Sequence, residues 1–285
     1  MYAVTGITGQ VGGVVALALL AAGFDVRAVV RNAQKAQTWA DQGCEVSVAE
    51  MHDSQALAQA FAGTEGVFIL LPPNFDPTDG FPESHAMIEA IRQALLAARP
   101  GRVVCLSTIG AQAQQPNLLR QLSLLEAELG TLPMPVAFLR AGWFMENTLW
   151  DIGPAQATGV IDSYLQPLDQ PVPMVATADV GRTAAALLQE DWHGTRVVEL
   201  EGPARVSPLD IAAALSALLG KPVRVREVPR QNWEKLFRAQ GMRNPAPRAQ
   251  MLDGFNQGWI RFEGPARKGS LSLRAVLEGL TARAS

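Results

Sequence analysis

The residues best suited to chemistry stand at the start of the chain. Gly6, Gly9 and Gly12 recur at every third position, with Thr8, Gln10 and Val11 among the residues between them. A short strand-like run, Met1 to Thr5, leads into them, and a helix-forming run, Val14 to Ala22, leads out. Glycines so spaced at a strand-to-helix turn suit a dinucleotide pyrophosphate. Gly6 permits the tight turn, Gly9 lets backbone N–H groups approach the phosphates, and Gly12 lets the helix pack against the strand. The phosphates would rest on the helix N-terminus, where unpaired N–H groups and the helix dipole favour negative charge. Thr8, Gln10 and Val11 belong to the same expected site.

Arg31 carries the next signal. It follows a second strand, Phe24 to Val30, at the place where an acid would bond a ribose 2′-hydroxyl and an arginine would suit a 2′-phosphate. No Asp or Glu occupies residues 26 to 40. Arg31 can pair with a phosphate through two N–H groups, and Lys35 can add a point charge. The expected cofactor is therefore NADP(H) in preference to NAD(H), against the alternative of a solvated arginine at a strand end.

Strand and helix signals alternate through the first half. After a helix at 33–41 come strands at 45–48, 66–71, 102–107 and 136–140, with helices at 54–61, 84–98 and 118–129 between them. Apolar strands separated by helices imply a parallel sheet covered on both faces, with its ligand crevice at the carboxyl ends of the strands. The expected fold is α/β, a Rossmann-type doubly wound sheet. Beyond Trp150 the prolines at 154, 167, 171 and 173 suggest loops and short edge strands. Regular elements return as a helix at 177–189, a strand at 197–201, a helix capped by Ser207, a strand at 221–228 and a helix at 231–240. The expected division is a cofactor domain over 1–150 and a smaller substrate lobe over 151–285, with some elements returning to the main sheet.

Composition sets further bounds. The 285 residues are 48% hydrophobic and 18% charged, with net charge −3 and pI near 5.7. That balance describes a globular protein and argues against a nucleic-acid groove, which needs a basic face. Two cysteines, Cys44 and Cys105, read as reduced core thiols rather than a disulfide framework. No His/Cys/Asp cluster has metal-ligand spacing, so no metal is expected. The first strand begins at Met1 and the apolar stretch 11–30 is broken by Gly, Asp and Arg, which suggests a cytoplasmic protein without a membrane span.

Several segments occur together in order: Gly6-x-x-Gly9-x-x-Gly12, Val29-Val30-Arg31-Asn32, Leu71-Pro72-Pro73, Leu106-Ser107-Thr108-Ile109-Gly110-Ala111, and Leu139 through Asn147. In this the chain resembles the NmrA-like proteins, atypical members of the short-chain dehydrogenase/reductase superfamily, over its length to about residue 230. The resemblance implies a Rossmann-type fold binding NADP or NAD. It settles the cofactor class better than the activity, because the family holds NADPH-dependent quinone reductases, related small-molecule reductases and redox sensors that bind the cofactor without turning it over.

Ordinary short-chain reductases use a tyrosine acid with a lysine four residues on. This chain has only Tyr2 and Tyr164, and no lysine between Lys35 and Lys221. Where some relatives carry a lysine and a histidine in the helix after the fifth strand, Leu122 and Leu118 stand here. An electron-poor acceptor such as a quinone needs less help, since it forms a stabilised anion and water can supply the proton. The protein then has only to hold two flat rings in contact. Pro73, Thr108, Trp143 and Phe144 are candidates to line the acceptor slot, with Leu71 and Pro72 beside the cofactor; Trp143 and Phe144 could equally be core aromatics. Ser107 could bond cofactor or substrate, or serve its own strand end. His85 is a candidate proton donor with a surface alternative, and Glu146 and Asn147 match a family pair of which Asn147 could tie a turn. The leading expectation is an NADP(H)-dependent oxidoreductase acting on a small acceptor as monomer or homodimer, without nucleic acid or membrane; the alternative is a non-catalytic NADP(H) sensor.

Overall fold

The computed structural model describes residues 1–32, 34 and 36–284. Its first half alternates β1 (Tyr2–Val4), α1 (Gln10–Ala21), β2 (Val26–Val30), α2 (Gln37–Ala40), β3 (Glu45–Val48), α3 (Ser54–Phe61), β4 (Gly66–Ile69), α4 (Pro82–Ala98), β5 (Val103–Thr108), α5 (Arg120–Leu129) and β6 (Val136–Ala141). There follow β7 (Trp143–Phe144), α6 (Leu149–Thr158), β8 (Val160–Ser163), β9 (Met174–Val175), α7 (Thr177–Gln189), β10 (Thr195–Glu201) and α8 (Pro208–Leu219). The chain ends with β11 (Arg224–Glu227), α9 (Trp233–Ala239), α10 (Ala246–Asn256), β12 (Arg267–Lys268) and α11 (Leu273–Ala284).

Eight strands form one sheet in the order β12-β10-β6-β5-β4-β1-β2-β3, and each neighbouring pair runs parallel. The order reverses between β1 and β4, where a doubly wound sheet opens its ligand crevice. Thr5 closes that junction. Its hydroxyl donates to the Phe68 carbonyl at 3.0 Å and accepts the Leu70 N–H at 2.9 Å.

Alternation along the strands divides the core. Val4, Phe68, Val104 and Leu139 face α1 and α7, while Val29, Ile69, Cys105 and Phe138 face α3, α4 and α5. Each large apolar side chain so buried stabilises the fold by about 1.5–3 kcal/mol. A third core lies in the second half, around Trp233, Phe237, Phe255 and Leu277. The α1–α7 contact is close because Gly181 carries no side chain: a Cβ there would lie 2.6 Å from Val14 Cβ and 2.9 Å from the Val11 carbonyl.

The second half holds more helix than its prolines suggest. Pro154 lies inside α6, although a ring within a helix removes one i→i−4 bond. The carbonyl it cannot serve belongs to Trp150, which is 81% exposed and can be hydrated. α10 and α11 also stand where no element is read from the sequence. The helix expected at 33–41 is reduced to α2, with Ala33 and Lys35 outside the described residues. Ser207 caps α8 as expected, in a reciprocal box with Asp210. Among the described residues no helix is long and apolar enough to cross a membrane. Cys44 and Cys105 are buried free thiols, and burial pushes both pKa values up.

Candidate cofactor and acceptor site

The glycine turn joins β1 to α1 at the sheet's point of reversal. Gly6 has φ +62, a left-handed conformation that suits glycine, and its carbonyl accepts the Gly9 N–H at 2.9 Å. Gly12 is the least replaceable of the three. A Cβ there would sit 2.3 Å from the Gly6 oxygen and 2.6 Å from its carbonyl carbon, both backbone atoms. A Cβ on Gly9 would meet the same oxygen at 3.2 Å. Thr8, Gly9 and Gln10 are exposed, whereas Val11 is buried and anchors the helix. Helix α1 has no side-chain cap and no acid in its first turn. The N–H groups of an opening turn have no partner within the helix, so the positive helix end faces outward at the glycines.

Arg31 directly follows β2 and is exposed; among the described residues it has no hydrogen-bond or ion-pair partner. Asn32 accepts the Gln34 N–H at 2.8 Å and so shapes the turn behind it. Lys35, the other cation expected here, lies outside the described residues. A cleft of about 610 Å³ runs from Thr8, Gly9 and Gln10 along α1 to Gln34 and Trp39.

Two elements brace this turn from the second half of the chain. Glu146, in a short 3-10 turn (Met145–Thr148), accepts the Thr177 N–H at 2.9 Å and the Thr177 hydroxyl at 2.7 Å, capping α7. The same hydroxyl lies 3.2 Å from the Gln10 side-chain amide, which sets the starts of α7 and α1 side by side. Asn147 does not tie its turn: it is exposed, and the Thr148 hydroxyl does so by donating to the Met145 carbonyl at 2.7 Å.

The acceptor candidates are spread over the adjoining loops. Leu71 is buried, Pro72 half-buried and Pro73 exposed just beyond β4. Thr108 ends β5 half-buried, its hydroxyl 3.2 Å from the Ile109 carbonyl. Trp143 stacks edge-on against Phe255 at 5.2 Å, and Phe144 packs on the α1 side of the sheet. Both are half-buried, so each is partly core and partly accessible. His85 is exposed on α4; the residue that turns inward there is Ser84, which donates to Gln121 at 2.8 Å. His52 is likewise exposed, 3.3 Å from Glu50, while Asp53 caps α3 by accepting the Gln55 and Ala56 N–H groups.

Ser107 enters a network that the sequence reading did not find. In the sheet register Ser107 on β5 and Glu199 on β10 flank Arg140 on β6. Arg140 is buried and grips Glu126 of α5 through two bonds of 2.9 and 2.7 Å, with Glu263 and Gln112 also within reach. Burial works against its charge, but Glu126 and Glu263 outweigh burial and raise its pKa. The Ser107 hydroxyl donates to Glu126 at 2.5 Å, so its proton is already placed. Glu199 accepts the Glu263 and Gly264 N–H groups at 2.9 Å each, pinning the C-terminal segment over these strand ends. The signal was an arginine in an otherwise apolar strand, which requires buried acids around it.

The remaining phenols are remote from this chemistry. Tyr2 lies in β1, and Tyr164 stacks on Trp233 and Phe237 in the third core. Burial raises the pKa of both.

Fold and turn together define a Rossmann-type protein with a glycine turn between β1 and α1 at the sheet's point of reversal. The chain belongs to the NmrA-like family, whose sequence pattern it matches over residues 2–256. It is 27% identical to an NAD(P)H azoreductase of Xenophilus azovorans over 85% of this chain and 82% of that one. It is 31% identical to the (4-alkanoyl-5-oxo-2,5-dihydrofuran-3-yl)methyl phosphate reductase of Streptomyces griseus, over 80% of this chain and 77% of that one. The NADPH-dependent quinone oxidoreductase of Escherichia coli, solved with NADPH, superposes with a TM-score of 0.83 over 100% of both chains at 24% identity.

Proposed function

We propose that this chain is an NADP(H)-dependent oxidoreductase whose acceptor is a small, electron-poor conjugated molecule such as a quinone. The observation that carries the reading is the combination of a cradle only glycine can form at residue 12, an uncapped α1 terminus and an Arg31 without a partner among the described residues. These groups suit a pyrophosphate and a 2′-phosphate respectively. The relatives support the acceptor class, because azo, quinone and acylated dihydrofuranone groups are all conjugated and electron-poor.

Gly6, Thr8, Gly9, Gln10, Val11 and Gly12 would hold the pyrophosphate, and Arg31 with Lys35 the 2′-phosphate. Leu71, Pro72 and Ser107 would flank the remainder. NADPH, when bound, supplies a hydride. The chain's own contribution is placement: Pro73, Thr108, Trp143 and Phe144 hold a flat acceptor and exclude water from its faces. Ser107 can accept a hydrogen bond while Glu126 keeps its proton, and neither phenol stands at the site. The proton therefore comes from water. Residues 1–150 would form the cofactor domain, which also carries the four acceptor residues, and 151–285 the smaller lobe beside the acceptor, with α7 and β10 returning to the main sheet.

The test is a titration of NADPH, NADP, NADH and NAD, followed by assays with quinones and azo dyes on whichever form binds. NADPH should bind best and be consumed when a quinone is added. Tight binding without turnover across that panel would overturn the enzymatic reading in favour of a sensor. A sensor in turn requires that NADP and NADPH bind with different affinities.

A further inference from the structure

A second cavity, of about 380 Å³, opens between the loop after β4, the loop after β5 and the start of α10. Arg120 lines it together with Thr78, Asp79, Asn117, Asn244 and Gln250. The Arg120 side chain is half-buried and, among the described residues, has no hydrogen-bond or ion-pair partner. The acids nearby are all engaged. Asp79 accepts the Asn244 amide at 2.8 Å, Asp76 accepts the Asn244 and Arg243 N–H groups at 2.7 and 3.1 Å, and Glu83 accepts the Thr78 hydroxyl.

The cavity also receives three helix starts. α4, α5 and α10 begin at Pro82, Arg120 and Ala246, beside the lining residues, and none has a side-chain cap. The α5 and α10 ends add to the Arg120 guanidinium, whereas Glu83 in the first turn of α4 offsets that end. The cavity is mechanically joined to the acceptor loop: Gln121 donates to the Asn74 carbonyl at 3.0 Å, one residue beyond Pro73. The Leu118 N–H bonds the Pro247 carbonyl at 2.9 Å, fixing α10 against α5.

We propose that this cavity is an anion subsite of the acceptor site, in which Arg120 binds a carboxylate, sulfonate or phosphate carried by the conjugated acceptor. This rests on the oxidoreductase reading above and sharpens it to acidic acceptors. A guanidinium with no partner among the described residues, in a cavity whose one lining acid, Asp79, is held by the Asn244 amide, offers two parallel donors to such a group.

The probes are a benzoquinone bearing a propanoate arm and its methyl ester. The two methylenes insulate the ring, so the pair differs in charge and not in reactivity. Wild-type protein should show a kcat/KM at least about tenfold higher for the acid, the worth of one charge-assisted pair. Arg120→Met should bring that ratio close to one, and Arg120→Lys should restore part of it. Because the Arg120 side chain makes no bond among the described residues, the thermal midpoint should not fall, which separates lost recognition from lost folding. Equal kcat/KM for acid and ester in the wild type overturns the subsite and leaves the oxidoreductase reading intact. If neither quinone is turned over, that reading fails, and binding decides the subsite: the acid should bind NADP-loaded wild type and not Arg120→Met. Equal binding to both overturns it.

Discussion

The carboxyl ends of β1 and β2 and those of β5, β6 and β10 lie along the same edge of one sheet, and they handle polar groups in opposite ways. At β1 and β2 the donors are left open: the α1 terminus has no cap and Arg31 has no partner among the described residues. At β5, β6 and β10 they are used up, with Ser107, Glu126, Arg140 and Glu199 bonded to one another or to the C-terminal segment. Open donors in a cradle can serve a ligand. Saturated ones hold the framework, because a buried charge that loses its partner is costly.

The largest expected effect breaks the saturated end. Arg140→Met strands three carboxylates, and urea denaturation should report a loss of about 3–5 kcal/mol, the usual result of removing one member of a buried ion pair. A loss below about 1 kcal/mol would mean that the acids repack or take up protons and that the network holds little.

Next comes Gly12→Ala at the open end. Overpacking costs about 1–3 kcal/mol where side chains can yield, and here the obstacle at 2.3 Å is backbone. Nucleotide affinity should fall by about a hundredfold or more, roughly 3 kcal/mol, in a fluorescence titration. Undiminished binding by a folded variant would show that the turn is not the site.

Arg31→Ala should act more narrowly. It removes charge-assisted bonds of about 1.5–3 kcal/mol, so NADPH affinity should fall at least about tenfold while NADH affinity changes far less. An equal fall for both would assign Arg31 to structure, and with it the contrast between the two ends would blur.

Asp179 supplies the smallest effect and an intermediate case. Burial opposes its charge, but the Leu271 and Ser270 N–H groups and Arg182 together outweigh burial and set its pKa below the ordinary 3.8. A depressed folded pKa means that this stability is present above that value and is lost as pH falls through the folded one. Asp179→Asn should therefore flatten the acid limb of a stability–pH profile. An unchanged limb would show that the carboxylate does not hold the C-terminal segment.

Much of this contrast was legible from local signals, and part was not. The glycine turn, Arg31, the strand–helix alternation and the Asp53 and Ser207 caps are all written over a few consecutive residues, where backbone geometry demands a residue type. α11 was missed, although Leu273, Val276, Leu277 and Leu280 have helical spacing. α6 was hidden because Pro154 reads as a breaker, while the exposure that tolerates it depends on the fold.

The sequence by itself determined the parallel sheet, the glycine turn and the missing Tyr/Lys pair, because each rests on residue type and short spacing. Only the tertiary structure decided that Ser107 serves Glu126 and that His85 faces solvent. It alone brought Arg120 into a cavity with residues more than a hundred positions away. Side-chain partners are set by sheet register and by helices packing from distant parts of the chain, and no local pattern encodes them.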